Sequence, residues 1–129
     1  LSVVLDIKKL RKGYPPPLSL KDGDVLYDSG GRRNHGDLYK IFFKMNRSAY
    51  VYIMQLDSTG MIYPLFPSKT YGSGPGMENP LPGNQLHQIP PAKRMWIYLN
   101  KNKGEESIYF FFSTNPRPDM EAMFKFFEQ

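Results

Sequence analysis

The strongest constraint on the fold is a segment in which large apolar side chains occupy both alternating positions. Residues 49–56 have the sequence AYVYIMQL, with rings and branched side chains at odd and at even numbers. Successive side chains of a strand point to opposite faces of a sheet, so apolar residues of both parities need cover on both sides. The segment therefore predicts a buried strand inside a layered β structure.

The residues that follow this strand predict a tight β-hairpin. Residues 57–60 are DSTG, in which the Asp side chain can bond the backbone and the Gly can take a positive φ. Residues 61–66 (MIYPLF) then return as the partner strand. Pro64 has no N–H to donate to a ladder, so we expect this partner at a sheet edge or at a bulge.

Apolar patterns predict six further strands. They cover residues 3–10, 25–27, 38–45, 85–89, 95–99 and 107–113. The lysines of the first strand discourage unwanted pairing and suit a sheet edge. The turn around Gly104 joins the last two strands as a hairpin, and Trp96 is expected in the core between the sheets.

The last segment changes its period. Met120, Met123, Phe124 and Phe127 fall at i, i+3, i+4 and i+7, which is one face of a helix over residues 119–127. Short strands without βαβ alternation predict an all-β, mainly antiparallel fold. We expect a two-sheet immunoglobulin-like β-sandwich with one C-terminal α-helix.

The length of 129 residues suits a single domain over residues 1–129. The first residue is Leu1 rather than Met, so we expect the domain to be excised from a longer chain or to be its mature part. No apolar run approaches the roughly 18 residues that a membrane-spanning helix needs. We therefore expect contact with a membrane to be peripheral at most.

The predicted hairpin also carries a more specific motif. Residues 49–67 combine a Tyr-rich strand, the turn LDSTG, a second strand and LFP. This pattern resembles the central motif of the bacterial domain of unknown function 4384 family. The KDGD turn at 21–24, NQLHQIP at 84–90 and GEESIYF at 104–110 are similar to further parts of that family, so the resemblance covers roughly residues 18–128.

The resemblance implies an accessory module of a bacterial envelope or multidomain protein. It implies a β-sandwich fold and an exported setting, periplasmic or secreted. Members of the family occur beside caspase-like peptidase, kinase or repeat domains. No catalytic residues are established for the family, so the resemblance implies no reaction and transfers no site residue to this chain.

The residue types that carry most enzyme chemistry are absent or isolated. The chain has no Cys, which excludes thiol nucleophiles, disulfides and Cys-ligated metals. His35 and His87 have neither a nucleophile-elbow Ser nor a metal-ligand spacing beside them. Residues 71–76 (YGSGPG) lack the Lys-Ser/Thr of a phosphate-binding loop. We therefore predict no enzymatic activity, no cofactor and no metal site.

The charge of the chain is uneven. The formal net charge is +5, and residues 1–50 contain the whole excess, with ten basic and five acidic residues. Such a region can attract an acidic partner or a nucleic acid. The basic residues are scattered rather than clustered, which favours a solubilising surface over nucleic-acid binding.

Two glycine-rich loops are the predicted binding elements, because loops on a rigid sheet commonly carry binding residues. We expect contacts from Arg32 and Arg33 in the loop at 28–37, and from Tyr71 in the loop at 69–82, which is long enough to be functional or mobile. Strand addition at the proline-containing edge is a further route. The predicted function is binding of a protein partner by a non-enzymatic module. The alternative is a carbohydrate- or nucleic-acid-binding β-domain that uses basic and aromatic side chains.

Overall fold

The computed structural model describes most of the chain. The described residues are 1–11, 18–20, 37–71, 76–98 and 107–128. The predicted strand at 25–27 and most of the loop predicted at 28–37 lie outside these residues.

The described strands form two antiparallel sheets. The described elements are β1 Val3–Arg11, β2 Leu18–Leu20, β3 Asp37–Met45, β4 Tyr50–Leu56, β5 Ile62–Phe66, β6 His87–Ile89, β7 Ile97–Tyr98, β8 Ser107–Ser113 and the helix α1 Pro118–Phe127. The larger sheet has the order β2-β1-β3-β6, with β7 also paired to β3, and the smaller sheet has the order β5-β4-β8. The predicted two-sheet, mainly antiparallel fold with one C-terminal helix is confirmed.

The main core lies between the two sheets. Alternate residues of β3 and of β4 are fully buried there, as the period of a strand requires. The ring of Phe43 on β3 meets that of Phe112 on β8 edge to face, with centroids 5.8 Å apart. The buried core residues are Tyr39, Ile41, Phe43, Met45, Ala49, Val51, Ile53, Leu65, Phe66, Leu81, Ile89 and Ile97.

The second face of β4 is covered by α1. Tyr52 is fully buried, and its ring meets that of Phe124 edge to face at 6.0 Å. The Tyr52 hydroxyl donates to Glu121 Oε1 at 3.0 Å and accepts the N–H of Arg117 at 3.1 Å, so it ties the start of the helix to the sheet. The predicted cover on both faces of this strand is therefore present, with the other sheet on one side and the helix on the other.

The predicted β4–β5 hairpin is also confirmed. Asp57 Oδ1 accepts the N–H groups of Thr59 and Met61 at 2.8 and 2.9 Å, and Gly60 takes a φ of 87°. The register shifts along the hairpin, between Ile53 and Met54. Pro64 pairs with Met54 beside this shift, on a strand at the sheet edge, as the missing N–H of proline predicts.

The described end of the predicted loop at 69–82 packs against β4. Asn79 accepts the N–H of Val51 at 2.9 Å and donates to its C=O at 2.9 Å. Leu81 is fully buried and forms an antiparallel bridge with Ala49. Asn79 and Leu81 lie along the same edge of β4 as β5, beyond the last residue pair between these two strands. They therefore supply hydrogen bonds to β4 that the short β5 cannot.

Three predictions are wrong or only partly right. Within the described chain β1 lies at an edge only over residues 3–6, because Leu18–Leu20, which the sequence pattern did not indicate, pairs with its residues 7–9. The last two strands form no hairpin, because β7 pairs with β3 and β8 pairs with β4, in different sheets. Trp96 is only half-buried, and it lies near the ammonium of Lys40 instead of between the sheets.

The backbone of the β3–β4 turn approaches Gly83 closely, and this contact generates a stability prediction. A Cβ at this position would overlap the backbone of Arg47 in the β3–β4 turn. We expect Gly83→Ala to lower the free energy of unfolding by about 2 kcal/mol or more, because backbone atoms cannot move aside as a flexible side chain can. Urea denaturation measures the change. Ser48→Ala, at an exposed neighbour of Arg47, should stay within about 0.5 kcal/mol of wild type. Equal losses for the two variants would contradict the prediction.

Candidate functional site

A buried lysine ties a loop to the outer face of the larger sheet. Lys40 lies in the middle of β3, and only 2% of it is exposed. The side chains before and after it enter the core, so its own side chain leaves on the opposite face. Its Nζ donates to the carbonyl oxygens of Ala92, Lys93 and Met95 at 2.6, 3.2 and 3.0 Å. All three N–H groups of the ammonium therefore find an acceptor in one short segment.

Further bonds hold the same segment, residues 90–96, which we call the anchored loop. Gln88 Nε2 donates to the carbonyl oxygen of Pro91 at 2.6 Å, and the N–H of Met95 donates to that of Ala92 at 3.1 Å. The Lys40 ammonium also lies 5.8 Å from the centre of the Trp96 ring. The anchored loop is therefore hydrogen-bonded to the sheet at several points.

The electrostatics of Lys40 reflect two opposing effects. Removal from water disfavours the charged amine, and this desolvation holds the pKa of Lys40 below its ordinary value of 10.5. The three carbonyl dipoles act in the other direction, since a buried charge is tolerated only when it is hydrogen-bonded. The ammonium form can donate all three of these hydrogen bonds, and its charge strengthens them.

The anchored loop carries exposed cations next to others on the sheet. Lys93 and Arg94 are exposed at its tip. Lys8 on β1 pairs directly with Lys40, and Lys44 lies farther along β3 on the same face. Asp6 is the acid on the described part of this face, and it binds Lys8 at 3.1 Å. We call this surface, made of Lys8, Lys44, Lys93 and Arg94 around the anchored loop, the basic face.

Exposed aromatic rings lie on the opposite side of the sandwich. Tyr109 and Phe111 are 42% and 37% exposed, and they pair with the β4 residues Met54 and Tyr52 on the outer face of the smaller sheet. Two further exposed rings, Phe126 and Phe127, lie at the end of α1. The two sheets therefore separate the exposed rings from the basic face.

The structure tests the predicted contact residues only in part. Arg32 and Arg33 lie outside the described residues, so their role stays a prediction. Tyr71 is half-buried and packs against the core between the sheets. Sequence reasoning missed Lys40, although it lies inside the apolar run LYKIFF, where strand alternation sends it away from the core.

His87 has a structural setting. It is 7% exposed, its Nε2 lies 2.8 Å from the carbonyl oxygen of Pro82, and its ring centroid lies 5.3 Å from that of Phe43. His35 lies outside the described residues. Among the residues that the structure describes, no group of three or more His, Asp or Glu side chains could hold a metal ion. No described helix is long and apolar enough to cross a bilayer.

The comparison with protein families matches the central part of this fold. A family model described as "Domain of unknown function (DUF4384)" matches residues 34–116, which is more than half of the chain. The chain belongs to this family. The matched region contains β3 to β8, Lys40 and the anchored loop, whereas β1, β2 and α1 lie outside it. Searches of the curated proteins and of the solved structures found no match.

The role of Lys40 as an anchor can be tested by hydrogen exchange. We expect Lys40→Met to speed amide exchange at Met95 by at least about tenfold, because the variant loses hydrogen bonds from a charged donor to three carbonyls of the loop. Lys44→Met is the matched control, since Lys44 is exposed on the same face of the same strand. Unchanged exchange in Lys40→Met, or the same acceleration in both variants, would contradict the anchor.

The lowered pKa of Lys40 predicts a pH dependence of stability. Between the lower pKa of the folded protein and the ordinary value of 10.5, the unfolded chain binds more protons at this site than the folded protein does. Stability therefore rises with pH in this interval because of Lys40. We expect the unfolding free energy of wild type to increase relative to that of Lys40→Met as the pH is raised from about 7 towards 10. Urea denaturation of both proteins at several pH values measures the difference between their unfolding free energies. The contributions of the other groups that titrate at alkaline pH cancel in this difference. A relative decrease would mean that the three hydrogen bonds outweigh burial.

Proposed function

We propose that this domain is a non-enzymatic interaction module whose basic face binds an acidic segment of a partner protein. The observation that carries the proposal is the bonding of one buried ammonium to three carbonyl oxygens of one exposed loop. A loop that is already ordered loses less conformational entropy when it binds. The anchor therefore supports the anchored loop as a preformed contact element.

Charge complementarity identifies the kind of partner. The basic face presents the exposed cations Lys44, Lys93 and Arg94, whereas Lys8 and the described acid Asp6 pair with each other. Met95, 38% exposed, adds an apolar contact beside these cations. A segment rich in Asp and Glu with an occasional apolar residue matches this surface. The clustered cations attract such a segment, and they disfavour the binding of neutral or basic segments.

The separation of charges from rings favours a protein over the alternative ligands. Single-stranded nucleic acids bind where basic side chains and stacking rings share one groove. Here the exposed rings of Tyr109 and Phe111 lie on the outer face of the other sheet. Among the described residues, the aromatic side chains on the outer face of the larger sheet are Trp96, near Lys40, and Phe42, between Lys40 and Lys44, and both are half-buried. Sugar binding by stacking would likewise have to use a different surface from the basic face.

The setting of the module is part of the proposal. The family resemblance supports an accessory domain of a bacterial envelope or multidomain protein, and it supports a periplasmic or secreted location. The partner would then be another protein of the envelope, or another part of the same assembly.

Binding of a labelled polyglutamate peptide, followed by fluorescence anisotropy, tests the proposed face. We expect the peptide to bind at low salt, and we expect Lys93→Glu to weaken it about tenfold, since reversing a surface charge next to an anion costs about 1–2 kcal/mol. Lys125→Glu is the matched control. It makes the same exchange on α1, on the other side of the sandwich, and should leave the affinity within about twofold of wild type.

Two further arms separate the alternatives. Lys40→Met should weaken peptide binding by loosening the loop while leaving every exposed charge in place. Single-stranded oligothymidylate replaces the peptide in a parallel titration. Tighter binding of the oligonucleotide than of the peptide would favour the nucleic-acid alternative. Equal effects of Lys93→Glu and Lys125→Glu would remove the basic face as the binding surface.

A further inference from the structure

β8 is a long sheet edge, and the described chain leaves its outer side open. The smaller sheet has the order β5-β4-β8, so β8 pairs with β4 along all seven residues on one side. On the other side, no strand among the described residues pairs with it. Alternate residues of an edge strand direct their N–H and C=O groups away from the sheet, where they can pair with another strand.

The other described edges carry the features that normally prevent such pairing. β2, β6 and β7 contain three, three and two residues, so they offer few backbone groups. β2 leaves residues 3–6 of β1 uncovered, and this short stretch carries the charged Asp6. β5 contains Pro64, which lacks an N–H, and α1 packs beside it. Short strands, proline and charged side chains are the usual protection of an edge. β8 has none of them, because its sequence SIYFFFS is seven residues long and contains neither a charge nor a proline.

The sequence of β8 is also close to a palindrome. We infer that β8 pairs antiparallel with β8 of a second copy of this chain, around a two-fold axis at Phe110. In that register similar side chains face each other, as a self-complementary interface requires. The facing pairs would be Ser107 with Ser113, Ile108 with Phe112, Tyr109 with Phe111, and Phe110 with its own copy.

Both faces of the strand suit this pairing. Ile108, Phe110 and Phe112 pack against the core between the sheets, so they would continue that core into the second copy. Tyr109 and Phe111, which are 42% and 37% exposed, would meet as cross-strand aromatic pairs on the outer face. Such pairs stabilise neighbouring strands, and no like charges oppose each other. The pairing would also remove backbone groups of β8 from water in hydrogen-bonded form.

The dimer would be built on a continuous six-stranded sheet with the order β5-β4-β8-β8-β4-β5. It is independent of the proposed function, because the basic face belongs to the other sheet. Each dimer would present two basic faces, and a partner with two acidic segments would gain avidity from them.

Sedimentation velocity over a range of concentrations tests the dimer. We expect wild type to approach twice the monomer mass of 14.9 kDa as the concentration rises. Tyr109→Lys places a charge opposite Phe111 twice in the symmetric pairing, so we expect it to weaken association about tenfold. The double variant Tyr109→Lys/Phe111→Glu places opposite charges face to face across the two-fold axis, and we expect it to recover association relative to the single variant.

Phe126→Lys is the matched control, because it replaces an aromatic residue that is 66% exposed but lies on α1. It should leave the monomer–dimer equilibrium unchanged. Circular dichroism confirms that each variant is folded, since both β8 side chains are substantially exposed. A wild type that stays monomeric at every concentration overturns the inference. The inference is also overturned if the double variant associates no better than Tyr109→Lys, because the pairing register around Phe110 would then be wrong.

Discussion

The structure depends on the need to bury both faces of β4. Val51 and Ile53 face the larger sheet, whereas Tyr52, between them, faces α1. A strand with two apolar faces has no stable position in a single sheet exposed to water, so it requires a layer on each side. The two sheets and the C-terminal helix supply these layers. Tyr52 is buried, and its hydroxyl also fixes the position of the helix on the sheet. It hydrogen-bonds a backbone N–H and a side chain at the start of the helix.

The outer face of the larger sheet is covered in a different way. No helix among the described residues covers this face, and the cover at β3 is instead the anchored loop held by Lys40. A loop leaves backbone carbonyls to be satisfied, and the ammonium satisfies three of them. The same contact places two exposed cations, Lys93 and Arg94, beside those of β1 and β3. A structural requirement thus produces the surface that we propose for binding.

The elements predicted well are those whose signal is local. The β4–β5 hairpin follows from the DSTG turn, and Pro64 correctly predicts an edge beside an irregular register. The helix follows from its period, although Phe127 on the predicted face remains 37% exposed. The errors concern pairings between distant residues. Trp96, for example, is a large aromatic residue next to a strand, and the sequence around it does not indicate that a lysine of β3 lies near its ring.

The sequence alone determined the layered β class, the hairpin, the family and the terminal helix, because alternation, turn chemistry and helical period act between neighbours in the chain. Tertiary structure decided which strands pair, where the cations gather and which edge strand of the described chain has a partner on one side only. Lys40 and Ala92 are 52 residues apart, and the partner of β8 is β4 rather than the nearby β7. Such contacts depend on how two sheets and a helix pack together, and no local pattern specifies that packing.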